Sequence, residues 1–152
     1  MVKESVFNII QFDIEGRRVL DLFAGTGQFG IEALSRGAGS VVFVDSAPES
    51  VKLIHENLKL CGFSGSAVLA RDAVRYLESE GKFDLIFLDP PYDSQLADKA
   101  LEKIFEFDKL NINGIIIYES KAGSTPPDAP LPYFLEKTYK YGDVGIARYS
   151  RG

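Results

Sequence analysis

The sequence predicts an α/β domain: a mainly parallel sheet of seven strands, helices on both of its faces, and a closing antiparallel hairpin. Three observations predict it. Short runs rich in β-branched and aromatic residues alternate with longer segments of helical spacing. A glycine-rich loop follows the first of those runs directly. After the fifth run the alternation stops, and a proline-rich stretch leads into two strand-like runs separated by Gly142-Asp143.

Residues 2–12 read as an opening helix. The buried strands are expected at 18–23, 40–44, 66–70, 83–88 and 114–118, each bounded by Gly, Asp or Pro. Between them, Val51, Ile54, Leu58 and Cys61, and likewise Leu96, Ala100, Leu101, Ile104 and Phe105, recur at helical spacing. Strands joined through helices imply right-handed crossovers and a ligand site at the carboxyl ends of the strands. Residues 124–132 carry four of the seven prolines and read as a loop; 134–141 and 145–150 form the hairpin.

With 152 residues, 45% of them hydrophobic, the chain suits one domain spanning 1–152. No apolar run approaches the roughly 20 residues needed to span a bilayer, and the first residues lack the pattern of a signal peptide, so a soluble, cytoplasmic protein without membrane contact is expected. Cys61 and His55 each stand alone in their residue type, which argues against a disulfide or a zinc site. His55 reads as a packing or surface residue and Cys61 as a small hydrophobe. The net charge of −5 disfavours a protein that grips nucleic acid with its whole surface, so any such contact must be local. Lys137, Lys140, Arg148 and Arg151, interleaved with Tyr133, Phe134, Tyr139, Tyr141 and Tyr149, are the best basic and aromatic candidates; an amphipathic hairpin with one buried face is the favoured reading of the same pattern.

Gly25-Thr26-Gly27-Gln28-Phe29-Gly30 follows the first strand and opens a helix, and Asp45, next to Ser46, lies about twenty residues on. Glycines let the backbone approach a ligand, and a carboxylate at the end of the second strand accepts ribose hydroxyls. A nicotinamide dinucleotide and S-adenosylmethionine both satisfy this. Asp21, inside the first strand, shifts the balance: with Phe23 and the loop it faces a cationic amino-acid group better than an anionic pyrophosphate. Asp72 and Ala73, after the third strand, suit an adenine amine. Asp45 and Asp72 could each be ordinary helix caps, but three carboxylates at successive strand ends are harder to dismiss together.

Asp89-Pro90-Pro91-Tyr92 follows the fourth strand. An exocyclic base amine is a poor nucleophile because its lone pair is delocalised into the ring. The Asp89 carboxylate and the Pro90 carbonyl can hold its two hydrogens and free the lone pair, while Tyr92, beside Pro91, stacks on a flipped base. The sulfonium is already an activated leaving group, so alignment suffices and no metal is needed.

Asp21-Leu22-Phe23-Ala24-Gly25-Thr26-Gly27, Val44-Asp45 and Asp89-Pro90-Pro91-Tyr92 together resemble the bacterial 16S ribosomal RNA guanine-N2 methyltransferases. The likeness covers nearly the whole chain, including the opening helix and the Tyr141-Gly142-Asp143 turn. It implies a Rossmann-like class I methyltransferase fold and a cofactor role for Asp21, Gly25, Gly27, Asp45 and Asp72, with an amine-binding role for Asp89, Pro90 and Tyr92. It also implies a monomer acting on guanine in 16S rRNA, within an assembling small ribosomal subunit. Members of the family usually begin with a basic, strand-rich segment, whereas this chain begins at the opening helix, which bears on its RNA-binding surface. Adenine-N6 or protein glutamine-N5 methylation uses similar tetrapeptides. From other classes, a nicotinamide-dependent oxidoreductase would leave Asp21 and the tetrapeptide unused, and a non-catalytic cofactor- or RNA-binding module remains a third reading.

Overall fold

The computed structural model describes residues 2–90 and 94–152. In chain order the elements are α1 (Val2–Ile9), β1 (Arg18–Leu22), α2 (Gln28–Ser35), β2 (Ser40–Asp45), α3 (Pro48–Leu60), β3 (Ala67–Ala70), α4 (Ala73–Tyr76), β4 (Phe83–Leu88), α5 (Ser94–Glu106), β5 (Leu110–Lys121), β6 (Tyr133–Tyr141) and β7 (Val144–Arg151). The sheet order is β3-β2-β1-β4-β5-β7-β6. The first five strands pair in parallel, and β7 runs antiparallel to both β5 and β6. Strand order reverses at β1, which lies between β2 and β4, and this is where a doubly wound sheet opens a crevice for ligands.

Two cores follow from the two-residue period of the strands. Leu20, Leu22, Val42, Val44, Ile86 and Leu88 face α4 and α5, packing on Leu77, Ala100, Leu101 and Ile104. Their neighbours Val19, Val41, Phe43, Leu85 and Phe87 face the other way, onto Phe7, Ala33, Ile54 and Leu58 of α1, α2 and α3. Residues buried on both sides explain why the strands read as unbroken apolar runs. No described helix is long and apolar enough to cross a membrane.

Most strand boundaries differ from expectation by one residue or none; the larger differences lie in α1 and in β5, which also runs on to Lys121. The opening helix ends at Ile9, and Phe12, 91% exposed, lies beyond it; Arg148 ties down this turn by donating to the Ile9 carbonyl and the Asp13 carboxylate. Strand β5 starts four residues early at Leu110, pairs with Phe83 across a register shift, and passes through Asn113 at φ 67° before its regular stretch.

The C-terminal hairpin divides by strand and not, as favoured, by face: β7 is buried on both sides, Ala147 and Tyr149 in one core and Ile146 in the other, whereas β6 past Tyr133 is largely exposed on both. Tyr133 and Tyr149 are buried, Arg148 pairs with Asp13 and Glu136, and Arg151 pairs with Asp108. Lys137, over the ring of Tyr139, and Lys140 stay exposed on opposite faces of β6, and Tyr139 stacks against Tyr141. The turn is the two-residue Gly142-Asp143, with Gly142 at φ 60°. Cys61 lies exposed at the C-cap of α3 rather than in its apolar stripe, and His55 is a surface residue.

Candidate active site

At the carboxyl edge of the sheet, β1 ends and Phe23 turns into the left-handed region at φ 59°, a conformation costly for a bulky side chain and most often retained at functional sites. The loop then closes tightly, with the Gly27 amide donating to the Ala24 carbonyl at 2.8 Å. Gly27 caps α2, and Asn57 of α3 braces the loop by donating to the Thr26 carbonyl at 3.0 Å. A Cβ on Gly30 would lie 2.2 Å from the Phe43 ring, so only glycine lets α2 sit this close to β2. At Gly25, φ 59°, an added Cβ would meet nothing within 4 Å. That side of the loop is open space.

Asp45 binds this loop to the start of α3. Its Oδ2 accepts the Gly25 amide and its Oδ1 the Ala47 amide, both at 2.9 Å, leaving each oxygen further lone-pair capacity. Ser46 beside it is exposed. Asp21 is only 2% exposed, and its Oδ2 accepts the Gly30 amide at 3.0 Å. Burial, opposed by that bond and reinforced by the charges of Asp89 and Asp45, pushes its carboxyl up to about 8. Asp72 is the N-cap of α4, accepting the Arg75 amide, with Ala73 buried behind it. It borders a separate cavity of about 300 Å³ with Arg71, Arg75 and Tyr76.

Beyond β4, Asp89 and Pro90 line a cavity of about 750 Å³ with Ala97 and Asp98 of α5 and Tyr118 and Glu119 of β5. That volume lies in the range of small-ligand sites. The Tyr118 hydroxyl donates to Asp98 at 2.7 Å. Asp89 is open on one side, yet the partial burial of its carboxyl raises its pKa, and a hydrogen bond from Glu119 works in the opposite direction. Burial first, then the charge of Asp89 and the hydrogen bond to it, pushes Glu119 up to about 8. Pro91 and Tyr92 lie outside the described residues.

The structure thus gathers Asp21, Asp45 and Asp89 with the glycine loop at one switch point, while Asp72 lies further out, on β3. Sequence reasoning missed Glu119. Its signal was position: it follows Tyr118 on β5, on the same face as Ile115 and Ile117, and Leu88 pairs with Tyr118, so the next residue of each strand is Asp89 and Glu119.

A family model described as conserved hypothetical protein 95 matches residues 1–150. The chain belongs to that family. A Bacillus subtilis relative provisionally named rRNA methyltransferase YlbH is 38% identical across 99% of this chain and 84% of its own length. The ribosomal RNA small subunit methyltransferase D of Haemophilus influenzae is 33% identical over 97% of this chain and 79% of its own. Among solved structures, the Escherichia coli protein yhhF, provisionally called a methyltransferase, superposes with a TM-score of 0.91 at 26% identity, covering 99% of this chain and 84% of that one. The fold is that of the class I methyltransferases, and the chain is a methyltransferase.

Proposed function

We propose that this single-domain chain, acting in the cytoplasm as a monomer, transfers a methyl group from S-adenosylmethionine to the exocyclic N2 amine of a guanine in 16S ribosomal RNA, within an assembling small subunit. The observation that carries the reading is the placement of Asp89 and Pro90 at a 750 Å³ cavity, one strand over from the glycine loop. Whole-length likeness to small-subunit rRNA methyltransferases supports the RNA, and the resemblance carried by the motifs supports guanine.

The residues fit the donor. The open face of Gly25 leaves room for it, Asp45 retains lone pairs for two ribose hydroxyls, and Asp72 keeps one oxygen clear of its capping bond for an adenine amine. Asp45 and Asp89 give this edge negative charge, and Asp21 can ionise beside an incoming cation, so the edge favours a cationic ligand. When bound, S-adenosylmethionine supplies a methyl group on a positively charged sulfur. Asp89 and Pro90 accept the two hydrogens of the target amine, which turns its lone pair outward, and Pro91 and Tyr92 would hold the base by stacking.

Incubation with labelled donor and small-subunit particles, free rRNA, DNA or protein, followed by digestion to nucleosides, tests this. N2-methylguanosine is the expected product. Label appearing only in adenine or in protein would overturn the guanine assignment.

A further inference from the structure

We propose that Glu119 is the positioning residue for Asp89: its protonated carboxyl donates a hydrogen bond that keeps Asp89 ionised and aimed into the cavity, leaving lone pairs free for the acceptor amine. The proposal rests on the reading above only in requiring that the acceptor be an amine.

Its first support is register. The last paired residues of β4 and β5 are Leu88 and Tyr118, so Asp89 and Glu119 emerge side by side from neighbouring strands. Both line the same cavity, and their carboxyl groups hydrogen-bond to each other. Two carboxylates cannot share a hydrogen bond without a proton between them. Glu119 is the half-buried member within a strand, and Asp89 opens toward the cavity. The proton therefore sits on Glu119, in line with the elevation of that residue to about 8.

Among the described residues, Glu119 is the one whose hydrogen bond acts on Asp89. Across the cavity, Asp98 is engaged by the Tyr118 hydroxyl. Lys121 and Asp143 also line the cavity, as one cation and one anion. Asp21 lies on β1, beside β4, and its interaction with Asp89 is repulsive when both are ionised. Partly buried beside that acid, Asp89 alone would tend to hold a proton itself, and a protonated acid gives up acceptor capacity. Donation from Glu119 reverses this tendency. The Glu119 proton stays in place through the cycle, and the proton shed by the methylated amine leaves through Asp89 to water.

The test pairs a pH–rate profile with a direct titration. In the wild-type protein, methyl transfer should fall as pH rises through about 8, when Glu119 ionises and the donor is lost. Glu119→Gln keeps a neutral donor and should lose no more than about fivefold in kcat at pH 7, with the alkaline fall abolished. Glu119→Ala should lose roughly tenfold or more in kcat, with donor affinity unchanged. Carbon-13 carboxyl titration should show a group near 8 that vanishes in Glu119→Gln and moves down in Asp89→Asn, while the similar Asp21 signal persists in Glu119→Gln.

A Glu119→Gln variant as slow as Glu119→Ala, an alkaline fall surviving in Glu119→Gln, or no Glu119 carboxyl titrating above the ordinary range would each overturn the proposal. Label found in an amine other than guanine N2 sinks the base assignment alone, because the pH profile needs only an amine. Should no offered acceptor take label, the carboxyl titration still decides the Glu119–Asp89 pair.

Discussion

The two ends of the parallel sheet treat the same side chain in opposite ways. At the amino end, carboxylates are fully answered. Asp108 accepts from Arg151 at 2.8 and 3.1 Å, from Lys82 at 2.8 Å and from the Tyr133 hydroxyl at 2.6 Å, which holds it well below the usual carboxylate range. Asp84 accepts the Arg18 amide and the Asn111 side chain. At the carboxyl end, Asp21, Asp45, Asp89 and Glu119 are held by backbone amides or by one another, and Asp21 and Glu119 are both pushed up to about 8. Paired charge at one end ties β4, β5 and β7 together. At the other end Asp45 and Asp89 face a cationic donor and an amine while Asp21 and Glu119 hold protons, and a cluster of perturbed acids in a cleft marks a working site.

The sharpest way to break this contrast is to remove an acid from each role. Asp89→Ala should lower kcat by roughly 10²–10⁴-fold, the scale of a positioned acid–base group, while calorimetry shows nearly unchanged donor affinity. Asp45→Ala should act on the donor instead. It removes acceptors for two amides as well as for the ribose, so the donor Kd should rise roughly 10- to 100-fold, equivalent to the ~1.5–3 kcal/mol of hydrogen bonds to a charged group. Equal loss of donor affinity in both variants would erase the division of labour between β2 and β4.

The centre of the sheet was legible because both faces of β1, β2 and β4 are buried: the pairs Val19/Leu20 and Leu85/Ile86 face opposite cores, so each run stays apolar throughout. Motifs with strong local chemistry were legible for the same reason that they work: the backbone at Gly25 and Gly27 and the crowding at Gly30 admit little but glycine, and Asp89-Pro90 offers acceptors without an N–H at Pro90. Glu119 was not, because nothing local marks it. It gains meaning only through its pairing with β4, a contact about thirty residues away in sequence. The charge at Arg148 and Arg151 was likewise ambiguous, since only tertiary structure brings Asp13 and Asp108 within reach. The early end of α1 and the early start of β5 depend on such distant partners too.

Asp108→Ala tests the amino end. Three donors lose their acceptor, and with Asp108 partly exposed the expected cost is ~1–2 kcal/mol, read as a lower midpoint in urea with kcat unaffected. A comparable loss of turnover would mean that the two ends are not independent.

The pH dependence of stability is the most discriminating test, because its sign differs between the ends. Asp108 has a depressed pKa, so its contribution is present above the ordinary carboxylate range and is lost as pH falls toward its folded value. Asp21 is raised to about 8, so between roughly pH 4 and that value the folded chain holds a proton that the unfolded chain has released. Stability must therefore fall as pH rises through this window, and Glu119 adds a slope of the same sign. Asp21→Asn retains an oxygen to accept the Gly30 amide but cannot ionise. Its urea midpoint should be close to wild type near the low end of the window and exceed it increasingly toward pH 8, flattening the decline without touching the acid limb set by Asp108. Parallel curves for Asp21→Asn and wild type would show that Asp21 is ionised in the fold, and that the carboxyl end carries its charge openly rather than holding part of it in reserve as protons.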